Sequence, residues 1–149
     1  MTGAAKTPAS KGPGNDVLKV ADLFGGPRIL RRSITSLLDA HELLLDGLPG
    51  SALNHFVRRL LFIHKTDSLE KAVGMGLSTF QRRKDALDKP LNQEQSGRTW
   101  KFAAILAKAT DVFGAQGEAE QWLERPAIGL NQRCPIDLLS TPAGIELVQ

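Results

Sequence analysis

The residues best suited to chemistry lie in one polar and basic stretch, GLSTFQRRK, at positions 76–84. Ser78 and Gln81 have the spacing of a capping box, which predicts that a helix begins at Ser78. Arg and Gln side chains can each make two hydrogen bonds to a base edge, and Lys and Arg neutralise phosphates. The candidate DNA-binding residues of this helix are Ser78, Thr79, Gln81, Arg82, Arg83 and Lys84.

A second short helix is predicted just upstream of this one. Asp67 and Glu70 can cap it, and its buried side is formed by Leu69, Ala72 and Val73. Two short helices joined by a tight turn that contains glycine form a helix-turn-helix. The alternative is a basic surface helix of a helical bundle that touches no DNA, and these residues alone favour the two interpretations equally.

The other reactive residue types give no catalytic or metal-binding pattern. His41 lies on an apolar helical face, and His55 and His64 lack metal-ligand spacing with each other or with carboxylates. Cys134 precedes a proline and has no histidine nearby in sequence, so a nucleophilic role is a weak alternative. The sequence has no GxGxxG, Walker or HExxH motif. We therefore expect a protein that is not an enzyme and that binds neither a metal nor a cofactor.

Composition and charge favour a small soluble protein. Its 149 residues are 42% hydrophobic and 23% charged, and a single cysteine excludes an internal disulfide, which fits a reducing cytoplasm. No apolar stretch is long enough to cross a bilayer, so we expect no membrane association. Residues 53–101 carry ten basic and five acidic side chains, whereas residues 102–149 carry three and six. This asymmetry is typical of a nucleic-acid face beside a separate partner face, with solvated surface charge as the alternative.

Apolar spacing predicts helices along most of the chain, and therefore an all-α fold. Residues 1–15 are expected to be a disordered tail, and residues 16–24 a short strand or helical turn. A helix is predicted from Ser33 onward, with an inward face made by Leu37, Leu38, His41, Leu44, Leu45 and Leu48. The next helix has the inward residues Leu53, Phe56, Val57, Leu60 and Leu61, with Arg58 and Arg59 on the opposite, exposed face.

The second half of the chain is also predicted to be helical. Asn92 and Gln95 form another capping box, and the helix that follows should end at Gly114. Its inward face is Phe102, Ile105, Leu106, Ala109, Val112 and Phe113. A short helix should then bury Trp122 and Leu123, and one helical turn is predicted at 135–139. The last helix is capped by Thr141 and contributes Ile145, Leu147 and Val148.

The end of the sequence, NQRCPIDLLSTPAGIELV, resembles the C-terminal toxin-binding segment of the Xre/MbcA/ParS antitoxin family. In that family a tryptophan helix precedes a Pro-x-x-Leu-Leu-x-Thr-x-x-Gly run. The residues that match in order are Trp122, Pro126, Pro135, Leu138, Leu139, Thr141 and Gly144. Upstream, HELLLDGLPGSALNHF and GLSTFQRRK followed by LNQEQSGR look like the Xre-type domain of the same family. The resemblance covers roughly residues 36–149 and favours the helix-turn-helix interpretation.

The resemblance implies a helical bundle with an Xre-like helix-turn-helix, followed by a small helical toxin-binding domain. We place the DNA-binding domain at residues 16–91 and the antitoxin domain at residues 92–149. Family members dimerise, bind their own promoter and cover the active site of a RES-domain toxin, which consumes NAD. In the family the last helix usually continues further, whereas this sequence ends at Gln149.

The partners implied are therefore a RES-domain toxin, double-stranded operator DNA and a second copy of the chain. The acidic residues Glu118, Glu120, Glu124, Asp137 and Glu146 are expected to face the toxin, with apolar contacts from Ile136, Leu147 and Val148. The candidate toxin-binding residues are Arg133, Ile136, Asp137, Glu146, Leu147, Val148 and Gln149. Leu138 and Leu139 are expected to be core residues instead. The alternative function is a free-standing transcription regulator that has no toxin partner.

Overall fold

The computed structural model of the chain describes residues 13–63, 72–73, 89–126 and 133–148. Within these ranges the chain forms helices and no β-strand, as the all-α prediction requires. None of these helices combines the length and the apolar character that crossing a membrane demands. The helices are α1 (Pro13–Leu23), α2 (Gly26–Leu30), α3 (Leu37–Asp46), α4 (Gly50–Arg59), α5 (Gln93–Phe113), α6 (Gln116–Leu123), a 3₁₀ helix (Pro135–Ser140) and α7 (Pro142–Val148).

Helix α5 is the central element, because α1, α3 and α6 all pack against it. Its first turn has the predicted capping box: the Asn92 side chain accepts from the Gln95 amide at 2.7 Å, and the Gln95 side chain accepts from the Asn92 amide at 3.3 Å. The helix ends as predicted at Gly114, which has a left-handed conformation with φ of 87°. Its 21 residues therefore span about 31 Å. They provide the surface against which α1, α3 and α6 pack.

Four aromatic side chains from three parts of the chain form the centre of the core. The Phe24 ring lies 5.0 Å from the Phe56 ring and 5.8 Å from the Trp100 ring, with which it is stacked. Phe56 meets Phe102 edge to face at 5.4 Å. All four residues are buried. The N-terminal residues, α4 and α5 therefore share one core and do not pack as separate units.

The segment at 16–24 differs from its prediction, because residues Pro13–Leu23 form a continuous helix instead of a strand or a single turn. Val17, Val20 and Phe24 recur at helical spacing and are all buried, which explains the helical form. The helix also begins before residue 15, so it overlaps the end of the predicted tail. The rest of that tail, residues 1–12, lies outside the described residues.

The inward face predicted for α3 is confirmed at Leu44, which is half-buried against the core, and at Leu48, which is buried, but it is wrong at the other four positions. Leu37, Leu38 and Leu45 are between 50% and 65% exposed, and His41 is exposed with them. The residues that α3 buries are Ala40 and Leu43. This helix carries more leucines than one face can bury, and its packing against α1 and α5 selects the narrower face.

Helix α3 also begins at Leu37 and not near Ser33, because the residues before it form a cap. The Ser36 hydroxyl accepts from the Asp39 amide at 3.1 Å. The Asp39 carboxylate in turn accepts from the amide and the hydroxyl of Thr35, each at 3.0 Å. These hydrogen bonds from Thr35 hold the pKa of Asp39 below its ordinary value. The chain before Ser36 is therefore held outside the helix.

The faces predicted for α4 and α5 are confirmed except at their C-terminal ends. Leu53, Phe56 and Leu60 are buried on α4, and Arg58 and Arg59 are exposed as expected. The exceptions are Leu61, Val112 and Phe113, which are 50%, 73% and 41% exposed. Each lies in or just beyond the last turn of its helix, and the Phe113 ring still packs against Trp122 of α6 at 5.7 Å.

One buried carboxylate connects α6 to the chain that leaves α4. Glu120 has no exposed surface. Its oxygens accept hydrogen bonds from the amides of Leu61, Phe62 and Ile63 at 2.8–3.1 Å. The Gln116 side-chain amide donates to the same carboxylate at 2.7 Å and to the Arg59 carbonyl at 2.7 Å. A residue predicted to face a partner is thus a structural acceptor inside the fold.

We predict that Glu120→Gln lowers the free energy of unfolding by about 2–4 kcal/mol. The substitution replaces one acceptor oxygen with an NH₂ group, so at least one buried N–H loses its acceptor and faces another donor. Urea unfolding followed by tryptophan fluorescence measures the loss. Glu118→Gln is the matched control, because Glu118 is exposed on the same helix and its substitution should leave stability unchanged. A loss below about 1 kcal/mol for Glu120→Gln would contradict the assignment.

Candidate functional site

The predicted DNA-binding residues lie outside the described part of the chain. This applies to the whole set Ser78, Thr79, Gln81, Arg82, Arg83 and Lys84, and to the cap at Asp67 and Glu70. The assignment of this helix to DNA therefore stays a prediction from sequence. The structure does describe how the segment 64–88, which contains these residues, is attached to the rest of the fold.

The described residues beside and within segment 64–88 are anchored at three places. At its upstream end, the amides of residues 61–63 are bound by Glu120. In its middle, Ala72 and Val73 are buried, as their helix was predicted to require. At its downstream end, the Leu91 amide donates to the Leu48 carbonyl at 2.8 Å, and the Gly50 amide donates to the Lys89 carbonyl at 3.1 Å.

The downstream attachment depends on a close backbone approach at Gly47. A Cβ at this position would overlap the Leu91 carbonyl oxygen, and the φ of 100° also disfavours other residue types. The next amide, that of Leu48, donates to the buried Ser96 hydroxyl at 2.7 Å. The turn between α3 and α4 is thereby fixed against the start of α5.

The C-terminal segment has a compact frame that explains its sequence spacing. Pro135 opens the 3₁₀ helix, and the Thr141 hydroxyl accepts from the Gly144 amide at 2.9 Å, which confirms the predicted cap of α7. Gly144 lies directly against the Leu138 carbonyl, which a Cβ would overlap. Leu139 is buried and Leu138 is half-buried, in line with their expected role in packing. Proline, leucine, threonine and glycine at these positions therefore fold the segment back on itself.

The predicted toxin-binding residues divide into three groups. Arg133, Glu146 and Leu147 are exposed, and the Leu147 side chain is 65% exposed. Asp137 and Val148 are half-buried, and Gln149 lies outside the described residues. Ile136, in the 3₁₀ helix, is only 1% exposed and belongs to the buried core. Its expected role as an apolar contact for a partner is therefore corrected to that of a core residue.

The acidic face predicted for this domain is smaller than expected. Glu118 and Glu146 are exposed and Glu124 is half-buried, but Glu120 is inside the fold and cannot meet a partner. The sequence contained a signal for this difference. Glu120 lies one position after Ala119 and three before Leu123, both fully buried, so it falls on the apolar face of α6. A carboxylate on that face predicts a buried acceptor with local donors.

The histidine and cysteine side chains that the structure describes do not form a catalytic arrangement. The Nδ1 atom of His55 lies 3.4 Å from the Leu23 carbonyl oxygen. The half-buried Cys134 thiol donates to the Glu124 carbonyl at 3.3 Å. Among the described residues, no three His, Cys, Asp or Glu side chains are grouped so as to hold a metal ion. His64 lies outside these ranges.

We predict that Gly144→Ala destabilises the C-terminal segment by about 1–3 kcal/mol, because the added methyl group must displace the Leu138 carbonyl. The matched control is Gly97→Ala in α5, where a Cβ would meet no atom within 4 Å. That substitution should instead stabilise the protein by up to about 1 kcal/mol, the helix-propensity difference. Thermal unfolding and amide exchange of residues 142–148 distinguish the two. Equal effects of the two substitutions would contradict the close approach at Gly144.

Comparison with known proteins matches both parts of the chain. Residues 39–104 match the antitoxin Xre-like helix-turn-helix domain, and residues 108–149 match the antitoxin Xre/MbcA/ParS C-terminal toxin-binding domain. An antitoxin Xre from Pseudomonas putida is 28% identical over 116 residues, which cover 78% of this chain and 70% of that protein. An antitoxin Xre from Yersinia enterocolitica is 33% identical over 75 residues, which cover 50% of each chain. The chain belongs to the Xre/MbcA/ParS-like antitoxins, with a helix-turn-helix domain followed by a toxin-binding domain.

Proposed function

We propose that this antitoxin inhibits a RES-domain, NAD-consuming toxin by covering its active site with residues 133–149, and represses its own promoter as a homodimer. The observation that carries the proposal is the C-terminal frame, which holds Arg133, Glu146 and Leu147 exposed on a short, internally fixed segment. A fixed segment loses little conformational entropy on binding, so its contacts contribute more fully to affinity. The protein would act as a stoichiometric inhibitor and not as a catalyst.

Leu147 is the proposed apolar anchor of this contact. It is 65% exposed and has Glu146 beside it in sequence, so an apolar side chain is bordered by charge. Protein interfaces commonly have this arrangement, with an apolar centre and a polar rim. Arg133 gives the same segment a charge of opposite sign, which can fix the orientation of the partner.

We predict that Leu147→Asp weakens toxin binding at least about tenfold, because it replaces the apolar anchor with a charge that must be desolvated. The measurement is a titration of the RES-domain toxin with the antitoxin, read as the rate of NAD consumption. The folded state should be unaffected, since the side chain is exposed.

Val112→Asp is the matched control for this substitution. Val112 is also a largely exposed aliphatic residue, at 73%, but it lies on α5. Inhibition should be unchanged by this control. If Leu147→Asp inhibited the toxin as well as the unmodified protein does, the anchor assignment would be wrong. A purified chain that neither binds nor inhibits a RES-domain toxin would favour the free-standing regulator.

The DNA contact is proposed to come from the helix that begins at Ser78. A two-fold dimer would place two such helices in successive major grooves, roughly 34 Å apart, on a palindromic operator. Gln81 and Arg82 would read base edges, while Arg83 and Lys84 would contact base edges or phosphates. The proposal rests on the sequence pattern and on the match to an antitoxin helix-turn-helix domain.

We predict that combining Arg82→Ala with Arg83→Ala abolishes binding to the chain's own promoter and leaves toxin binding intact. The two substitutions remove two cations from the proposed groove-binding helix, and each phosphate contact or bidentate base contact is lost with its cation. Fluorescence anisotropy with promoter DNA measures the effect. The control pair Lys108→Ala and Arg125→Ala removes the same charge from the C-terminal half of the chain and should retain binding. Unchanged promoter affinity in the first pair would refute the assignment.

A further inference from the structure

We infer that Glu120, a residue of the toxin-binding domain, is a positioning residue for DNA binding. The inference rests on the proposed promoter binding through segment 64–88. Glu120 lies within residues 108–149, yet its carboxylate holds the backbone of residues 61–63, which lie within the helix-turn-helix match at 39–104. The DNA-binding domain would then be complete only when α6 is docked on it.

The geometry joins one side chain to three consecutive amides. Oε1 accepts from Leu61 at 3.0 Å, Phe62 at 2.8 Å and Ile63 at 3.1 Å, and Oε2 accepts from Leu61 at 2.9 Å. A carboxylate offers about four acceptor sites, whereas a neutral amide offers two and adds donors of its own. With the Gln116 amide, four donor groups converge on this one side chain, which a carboxylate can accept and a neutral amide cannot match. The arrangement fixes the direction in which the chain leaves α4.

Ile63 is the last described residue before segment 64–88, so this direction sets where the segment begins. The downstream attachment comes from within the helix-turn-helix match. The downstream end is tied to Leu48 and Gly50, and the middle is held by the burial of Ala72 and Val73. The toxin-binding domain supplies the upstream attachment through Glu120, with Gln116 bridging the same carboxylate to the Arg59 carbonyl.

Direct reading of base edges is sensitive to such an attachment. The side chains that read bases must be held within about 0.5 Å of their productive geometry. If the upstream end of segment 64–88 were freed, the proposed DNA-binding helix that begins at Ser78 would sample many non-binding orientations. The apparent affinity then falls by the fraction of molecules that are competent to bind. The side chains that meet DNA remain in place, so the number of phosphate contacts should not change.

The experiment measures promoter affinity for the full chain and for Glu120→Gln by fluorescence anisotropy across a salt series. We expect affinity to fall at least about tenfold, with the slope against salt concentration unchanged. Affinity for the RES-domain toxin should stay within about twofold of its original value. Gln116→Ala, which leaves the carboxylate in place and removes its bridge to Arg59, should weaken promoter binding in the same direction by a smaller factor.

Leu123→Ala is the control that separates positioning from general stability. Leu123 is fully buried on the same helix, so its truncation destabilises the same domain without removing a hydrogen bond to residues 61–63. All variants are compared at a temperature where tryptophan fluorescence shows them to be folded. Leu123→Ala should then bind the promoter normally. If Leu123→Ala and Glu120→Gln lose promoter affinity equally, or neither loses any, the inference is overturned.

The outcomes also separate this inference from the function on which it rests. An unmodified chain that does not bind its promoter contradicts the proposed repressor function, and the inference with it. An unmodified chain that binds, beside a folded Glu120→Gln that binds equally well, overturns the inference alone. If Glu120→Gln does not fold, Gln116→Ala carries the test, and its unchanged promoter affinity would overturn the inference.

Discussion

The fold depends on one buried carboxylate that satisfies backbone donors where a helix has ended. After α4, the amides of residues 61–63 point into the protein, and Ile63 is fully buried. Unpaired, each buried N–H would cost about 1–3 kcal/mol, which is large beside the stability of a small domain. Glu120 removes this cost from a position 57–59 residues away in sequence. The chain's path out of α4 is therefore determined by a residue that is synthesised much later.

Helix α5 makes this long-range connection possible. It has Trp100 and Phe102 in the aromatic core with Phe24 and Phe56, and at its far end it turns through Gly114 directly into α6. The two family matches meet within this helix, between residues 104 and 108. A continuous helix transmits position better than a flexible linker does. The helix-turn-helix and toxin-binding domains are therefore joined by a shared helix as well as by Glu120.

Local interactions were predictable from the sequence, and the choice between competing faces was not. The caps at Asn92 and Thr141 join residues three positions apart, so a short window contains all the partners. The predicted face of α3 is only partly right because its leucines surround much of the helix, and only contacts with α1 and α5 decide which of them are buried. Glu120 was assigned to the surface because its type is usually exposed, and its amide partners are remote in sequence. Of the residues predicted to bind the toxin, Leu147 and Glu146 are exposed, whereas Ile136 is buried in the core.

The C-terminal motif consists mainly of residues that build a frame. Pro135 opens the 3₁₀ helix, Leu139 is buried, Thr141 caps α7, and Gly144 allows the backbone of α7 to meet that of the 3₁₀ helix. A sequence pattern made of such positions identifies the shape of the segment. The exposed residues Glu146 and Leu147 lie outside the pattern, and they are free to differ without disturbing the frame. Specificity for one toxin over another would therefore lie in these exposed side chains, because the frame offers every partner the same backbone.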